Sequence, residues 1–308
     1  MIRIGSRGSR LALAQSELVK RLLVAAHPDL DDQEVEIVVI STKGDRILDR
    51  PLAEIGGKGL FTEEIEAQLM DGSIDLAVHS LKDMPTALPA GLELIAMLER
   101  EDPRDAFLSD KASQLTDLPT GAVVGTASLR RQAQVRALRP DLKVVTFRGN
   151  VQTRLDKLKR GEVDATLLAL AGLKRLGLAH LAQEILDPAV MLPAAAQGII
   201  TIEARSDNAD IRARLAPLDH RASHLCALAE RALLATLDGS CRTPIAALAT
   251  LDGERLHLTA KVLSPAGDVS HAVTCDGPTS DAAAIGAAAG RNLLRLAGAD
   301  FFAALKAM

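Results

Sequence analysis

The sequence predicts an α/β protein with a smaller α+β domain at its C-terminal end. Two observations carry this. Through the first two thirds of the chain, β-branched runs without helical period alternate with amphipathic stretches. Over the last ~85 residues the order changes to a helix, a pair of strands and an Ala-rich closing helix.

Element by element, residues 2–4 read as a short strand and residues 9–26 as a helix stopped by His27-Pro28. Residues 35–40 form a strand, residues 60–70 are amphipathic, and residues 74–78 are again strand-like. The alternation resumes with Val123-Val124, a helix over 128–138, a strand over 144–147, a helix over 150–159 and a strand over 163–168. This spacing predicts largely parallel sheets. A helix over 223–237, strands near 256–263 and 270–274 and a final helix complete the chain.

The composition narrows the function. The 308 residues carry a formal charge of −4 and include five Phe, no Trp and no Tyr. Single-stranded nucleic acid is held on aromatic platforms in basic grooves, so nucleic acid is not expected as a partner. Charge-free apolar stretches such as residues 282–290 fall far short of the ~20 residues that span a bilayer. The N-terminal residues have no uninterrupted apolar run before Gln15 and Glu17, so neither a signal peptide nor a membrane partner is expected. Cys226, Cys241 and Cys275 are too few for a disulfide framework and lack metal-ligand spacing. A cytoplasmic protein without a metal is the expectation.

A short internal repeat points to an anion. Ile4-Gly5-Ser6-Arg7-Gly8-Ser9-Arg10 aligns with Val124-Gly125-Thr126-Ala127-Ser128-Leu129-Arg130. Each is a strand end, a glycine, a hydroxyl and then an arginine as a helix opens, where unpaired N–H groups favour anions. Two such repeats suggest two related domains facing a common cleft. Gly56-Gly57-Lys58-Gly59 fits neither a phosphate-binding nor a dinucleotide-binding glycine pattern and reads as a glycine-rich loop.

Charge is unevenly distributed. Between Ser128 and Arg160 stand ten basic residues, opposed only by Asp141 and Asp156. Arg136, Arg139, Lys157, Lys159 and Arg160 read as solvated helix faces. Arg130, Arg131, Arg148 and Arg154 fall at strand-to-helix junctions, where open α/β sheets bind ligands, and guanidinium groups there favour carboxylate or phosphate. The partner is expected to be a small polyanion.

Two further positions bear chemistry. In Ala77-Val78-His79-Ser80-Leu81-Lys82-Asp83-Met84-Pro85, Asp83 either caps the following turn or supplies a carboxylate that stabilises a cation or moves a proton. His79 reads as a packing or hydrogen-bonding residue. Cys226 lies in an apolar helical run and Cys275 ends a strand. Cys241, in Asp238-Gly239-Ser240-Cys241-Arg242-Thr243-Pro244, sits in a loop beside an arginine that favours the thiolate, so a covalent role is expected.

These motifs together resemble one family. Glu230-Arg231 with Leu237-Asp238-Gly239-Ser240-Cys241-Arg242-Thr243-Pro244-Ile245-Ala246 is similar to the cofactor-attachment signature of the porphobilinogen deaminases. The segments 79–85, 125–131, 148–151, 52–61 and 192–198 match the same family in order and spacing. The resemblance implies two type II periplasmic-binding-protein-like domains flanking a cleft, and a smaller α+β domain. The implied bounds are 1–98 with 199–217, then 99–198, then 218–308, the last bearing Cys241. It implies a monomeric transferase that joins four porphobilinogens into hydroxymethylbilane with loss of ammonia. The primer would be a dipyrromethane cofactor held by a thioether to Cys241.

By position, Asp83 would be catalytic. Lys82, Asp83, Thr126, Ser128, Arg130, Arg131 and Arg154 would hold the cofactor. Arg7, Ser9, Gln15, Ser80, Arg148 and Arg175 would bind the substrate, and Phe61 belongs to a loop covering the cleft. Glu54 and Glu63 stand where the family often has lysine, and Asp238 and Ser240 replace a more usual Glu and Gly. The alternative is a non-catalytic protein of the same two-domain fold that binds a carboxylate ligand.

Overall fold

The computed structural model describes residues 1–46, 60–237 and 243–306. The chain divides into two compact units, Met1–Glu101 with Gly198–His224, and Asp102–Gln197 with Leu225–Met308.

The first unit is built on β1 (Ile2–Arg7), β2 (Val35–Ile40), β3 (Leu76–Ser80), β4 (Leu92–Met97) and a strand contributed by the returning chain, β10 (Ile200–Arg205). The sheet order is β2-β1-β3-β10-β4. The helix Arg10–Ala26 buries Val19 and Leu23 against Ile4, Leu76 and Ile202 on one face. The helix Glu63–Met70 buries Ile65 and Leu69 against Ile40, Ile74 and Ala77 on the other. Each such fully buried aliphatic side chain contributes about 1.5–3 kcal/mol.

The second unit repeats the plan with β5 (Asp105–Ser109), β6 (Val123–Gly125), β7 (Lys143–Val145), β8 (Ala165–Ala169) and β9 (Glu184–Ile185), in the order β7-β6-β8-β5-β9. In each sheet the first strand of the α/β run lies between the second and third. The strand that follows a crossover between units is inserted next to the third. Both sheets therefore share one strand order. It also corrects the expectation of largely parallel sheets. β1 is parallel to β2 and β3, and β6 to β7 and β8. β10 runs antiparallel to β3 and β4, and β5 antiparallel to β8 and β9. The inserted strand enters each sheet from the opposite end, a long-range event that local periodicity does not encode.

The internal repeat has a structural counterpart, since β1 and β6 hold equivalent places. A Cβ on Gly5 would lie 2.3 Å from Ile74 Cδ1, and one on Gly125 would lie 2.7 Å from Phe147 Cγ. The glycine in each copy therefore admits a large apolar side chain against the strand.

At the C-terminal end, β11 (Ile245–Asp252), β12 (Arg255–Leu263) and β13 (Ser270–Pro278) form an antiparallel meander. The helices Arg221–Thr236, Ala282–Ala297 and Ala299–Lys306 complete its core through Leu233, Ile285, Leu293 and Phe302. Cys226 is buried in that core, as its apolar run suggested. Cys275 lies within β13, which extends further than its sequence suggested. No helix among the described residues is long and apolar enough to cross a membrane.

Candidate active site

In the first unit, two strand ends and a helix converge on a cavity of about 60 Å³. At the end of β1, Arg7 leads to Ser9, whose side chain caps the helix Arg10–Ala26 by accepting from Ala12 N at 3.2 Å. One turn further on, buried Gln15 donates through Nε2 to Ser80 Oγ at 2.9 Å, tying the helix to the end of β3. The chain then makes the short turn Leu81–Asp83, closed by Met84 N donating to Leu81 O at 3.1 Å. Phe61, Thr62, Ser80 and Asp83 are among its other lining residues. The space suits one carboxylate-sized group, being far below the roughly 300–1,000 Å³ of a whole ligand pocket.

Asp83 is exposed at this cavity, and among the described residues no backbone N–H donates to its carboxylate. The capping alternative is therefore not what this turn uses. Arg7 is held firmly. Its Nη2 lies 2.5 Å from Asp45 Oδ1 and its Nε 3.2 Å from each Asp45 oxygen. Thr42 Oγ1 donates to Asp45 Oδ2 at 2.8 Å. Burial works against the Asp45 charge, but pairing with Arg7 and Thr42 outweighs it and holds the carboxyl below its ordinary range. The Phe61 ring covers the guanidinium, its centroid 4.1 Å from Arg7 Cζ. Gly44 makes this possible, since a Cβ there would lie 2.2 Å from Phe61 Cε1.

His79, which also lines the cavity, is buried, and its Nε2 lies 3.0 Å from Glu203 Oε2 on the neighbouring β10. Its packing and hydrogen-bonding role follows. Glu66 is also buried there; burial and the nearby Glu203 charge raise its pKa.

In the second unit, β6 is followed by Thr126-Ala127, and Ser128 caps the helix Leu129–Leu138 by accepting from Arg131 N at 3.4 Å. Buried Thr126 accepts from Ser128 N at 3.2 Å. Arg130 and Arg131 fold back from the first helical turn onto Asp105, the first residue of β5. All three are buried. Arg131 donates to Asp105 Oδ1 through Nε at 3.2 Å and Nη2 at 2.7 Å, and to Leu167 O through Nη1 at 2.9 Å. Arg130 Nη1 donates to Leu192 O at 2.8 Å. The same nitrogen lies 2.8 Å from Asp105 Oδ2 as an ion pair poorly aligned for a hydrogen bond. Gln197 Nε2 adds a bond to Asp105 Oδ1 at 2.9 Å. Burial would raise the Asp105 pKa, but the two guanidiniums hold it far below the usual carboxylate range. Burial lowers the Arg130 pKa, against the pull of Asp105. Arg130 Nε is buried and has no hydrogen-bond partner among the described residues. Two arginines against one carboxylate leave net positive charge at the start of a helix, which suits an anion.

Arg148 and Arg154 flank Asn150, which caps the helix Val151–Lys159 by accepting from Thr153 N at 2.9 Å. Arg154 Nε donates to Gly149 O at 3.0 Å. Arg175 lies in the last turn of the helix Leu170–Arg175, and Lys82 in the turn beside Asp83. Cys241, with Asp238, Ser240, Arg242, Glu54 and the glycine-rich loop at 56–59, lies outside the described residues.

Two of the basic residues read as solvated faces are instead anchored. Arg136 Nη1 donates to Pro265 O at 2.7 Å. Arg139 pairs with Asp141 and donates to the carbonyls of Thr116 and Leu118. Both satisfy carbonyls of loops remote in sequence. Asp45 and Asp105 are the site residues that the sequence reading missed. Each is defined only by the arginine it meets across the fold, and neither sits in a pattern that announces it.

The matching strand order of the two sheets and these two arginine-bearing helix starts define an α/β protein whose helix openings suit anions. The family model for the porphobilinogen deaminase dipyrromethane cofactor binding domain matches residues 2–213, and that for the porphobilinogen deaminase C-terminal domain matches residues 224–295. A porphobilinogen deaminase of Paracoccus denitrificans is 55% identical over 301 residues, covering 98% of this chain and 96% of that protein. Another, from Nitrobacter hamburgensis, is 54% identical over 299 residues, covering 97% and 94%. Among solved structures, the methionine-binding protein MetQ matches 70% of this chain and 89% of its own with a TM-score of 0.46 at 14% identity. This chain belongs to the porphobilinogen deaminase family.

Proposed function

We propose that the protein is a transferase that joins four porphobilinogens head to tail into hydroxymethylbilane. Each condensation breaks the aminomethyl C–N bond, releases ammonia, and forms a C–C bond to a pyrrole α-carbon that gives up its proton; one water then releases the four-unit chain and supplies its hydroxyl. Family membership supports this reading, together with the observation that its carboxylate, Asp83, stands exposed at a cavity lined by Arg7, Ser9, Gln15 and Ser80. Asp83 would stabilise the cation left when ammonia departs and accept from the pyrrole N–H. Arg7, Ser9, Gln15, Ser80, Arg148 and Arg175 would bind the acetate and propionate groups of the substrate. Phe61 would cover them.

The chain fits a polycarboxylate cofactor. The orphaned Arg130 Nε and the excess positive charge over Asp105 call for an anionic group. Thr126, Ser128, Arg130, Arg131, Arg154, Lys82 and Asp83 would hold a dipyrromethane, joined by a thioether to Cys241 in a third domain over 218–308. When bound, the dipyrromethane supplies the primer for chain growth. Arg131 is largely committed to Asp105 and Leu167 O, so Arg130 has the stronger claim on a cofactor carboxylate. A cytoplasmic monomer completes the reading.

The test is consumption of porphobilinogen with stoichiometric release of ammonia. Asp83→Ala is expected to lower kcat by about 10²–10⁴-fold, as loss of a group acting in the transition state does. Saturable binding without ammonia release would favour the binding-protein alternative instead.

A further inference from the structure

A planar guanidinium offers five N–H donors on two edges, and what already occupies them decides what Arg7 can do. Asp45 takes the Nε–Nη2 edge, with contacts of 2.5 to 3.2 Å. Thr42 fixes the Asp45 carboxylate from behind. Phe61 covers one ring-facing side of the guanidinium at 4.1 Å. Among the described residues nothing is bonded to Nη1, and Arg7 lines the cavity with Ser9, Gln15, Ser80 and Asp83. Only the Nη1–Nη2 edge is left, and its two parallel N–H groups match one planar carboxylate.

We propose that Asp45 is a positioning residue: by holding the Nε–Nη2 edge of Arg7, it presents the opposite edge to a single carboxylate of the substrate. This rests on the functional reading above. The arrangement differs from one in which Asp45 is a stand-in for the substrate carboxylate, to be displaced on binding. In that case its removal would strengthen binding, because Arg7 would gain both a free edge and an uncompensated charge. As a positioning residue, Asp45 has the opposite effect. Arg7 without it recovers rotamer freedom that binding must then remove, and preorganisation is lost.

The experiment compares the wild-type holoenzyme with Asp45→Asn, Asp45→Glu and Thr42→Val, using porphobilinogen as substrate. Asp45→Asn is expected to raise KM about tenfold, in the range of one lost charge-assisted contact, with kcat within about twofold. Asp45→Glu recovers part of the loss, and Thr42→Val raises KM by a smaller factor of about two to three. An unchanged or lowered KM in Asp45→Asn overturns the proposal, as does a fall in kcat alone. If Asp45→Asn does not fold, Thr42→Val carries the decision, and an unchanged KM there overturns it. Wild-type protein that binds porphobilinogen without turnover sinks the functional reading separately. The Kd of the same variants then replaces KM, with the same expected direction.

Discussion

Arg131 grips Asp105 by two hydrogen bonds, at 3.2 and 2.7 Å, in a place where neither side chain reaches bulk water. The pair joins the opening turn of the helix Leu129–Leu138 to the first residue of β5. Since Arg130 lies against the same carboxylate, removing it strands two buried cations. Asp105→Ala is therefore expected to destabilise the protein by about 3–5 kcal/mol in urea unfolding. A loss below about 1 kcal/mol would show that water or rearrangement compensates the arginines.

The C-terminal helices pack through glycine. A Cβ on Gly286 would lie 2.0 Å from Ala229 O, a backbone atom that cannot swing aside. The helices Arg221–Thr236 and Ala282–Ala297 must separate to admit it. Gly286→Ala should cost about 1–3 kcal/mol or more in spite of its better helix propensity. A thermal midpoint at or above wild type would contradict this close approach.

Stability near neutral pH should bear the mark of His224. Its Nδ1 lies 2.9 Å from Asp219 Oδ1, and that bond raises its pKa above the ordinary 6.5. A raised pKa in the folded state gives stability that is fully present below about pH 6.5 and is lost as pH rises through the folded value. Burial opposes the Asp219 charge, but His224 and the Met97 N–H outweigh it and lower its pKa. Its share is present above about pH 4 and is lost as pH falls through the lowered value. Urea unfolding of wild type should therefore weaken from about pH 6 to pH 8 relative to His224→Gln. Parallel profiles for the two proteins would refute the pairing.

Charge reversal at Arg7 tests the anion-binding wall. In Arg7→Glu two carboxylates, Asp45 and the new one, would face a substrate that is itself anionic. Turnover of porphobilinogen should be abolished, and the unfolding midpoint should fall as well, because the reversal sets a second carboxylate against the partly buried Asp45. Retained activity would remove Arg7 from the site.

Much of this site was legible in sequence because it is local. The glycine-hydroxyl-arginine repeat marked both helix starts, where Ser9 and Ser128 are the caps. The strand-end segment at 77–85 placed Ser80 and Asp83 together. What the sequence concealed is what depends on chain crossings. β5 and β10 enter their sheets antiparallel after the chain changes unit, and Asp105 and Glu203 meet Arg131 and His79 only through those strands. Asp45 likewise finds Arg7 across 38 residues. The low aromatic content takes on meaning here: Phe61, one of five Phe in the chain, stacks on an arginine, and carboxylate pairing has to do the rest.

The proposed chemistry turns on a pyrrole primer covalently held at Cys241. The most direct measurement is the intact mass of the denatured, active protein beside that of Cys241→Ala. Wild type is expected to carry added mass equal to two linked pyrrole units, and the variant none. An unmodified mass in protein that turns over porphobilinogen would contradict it.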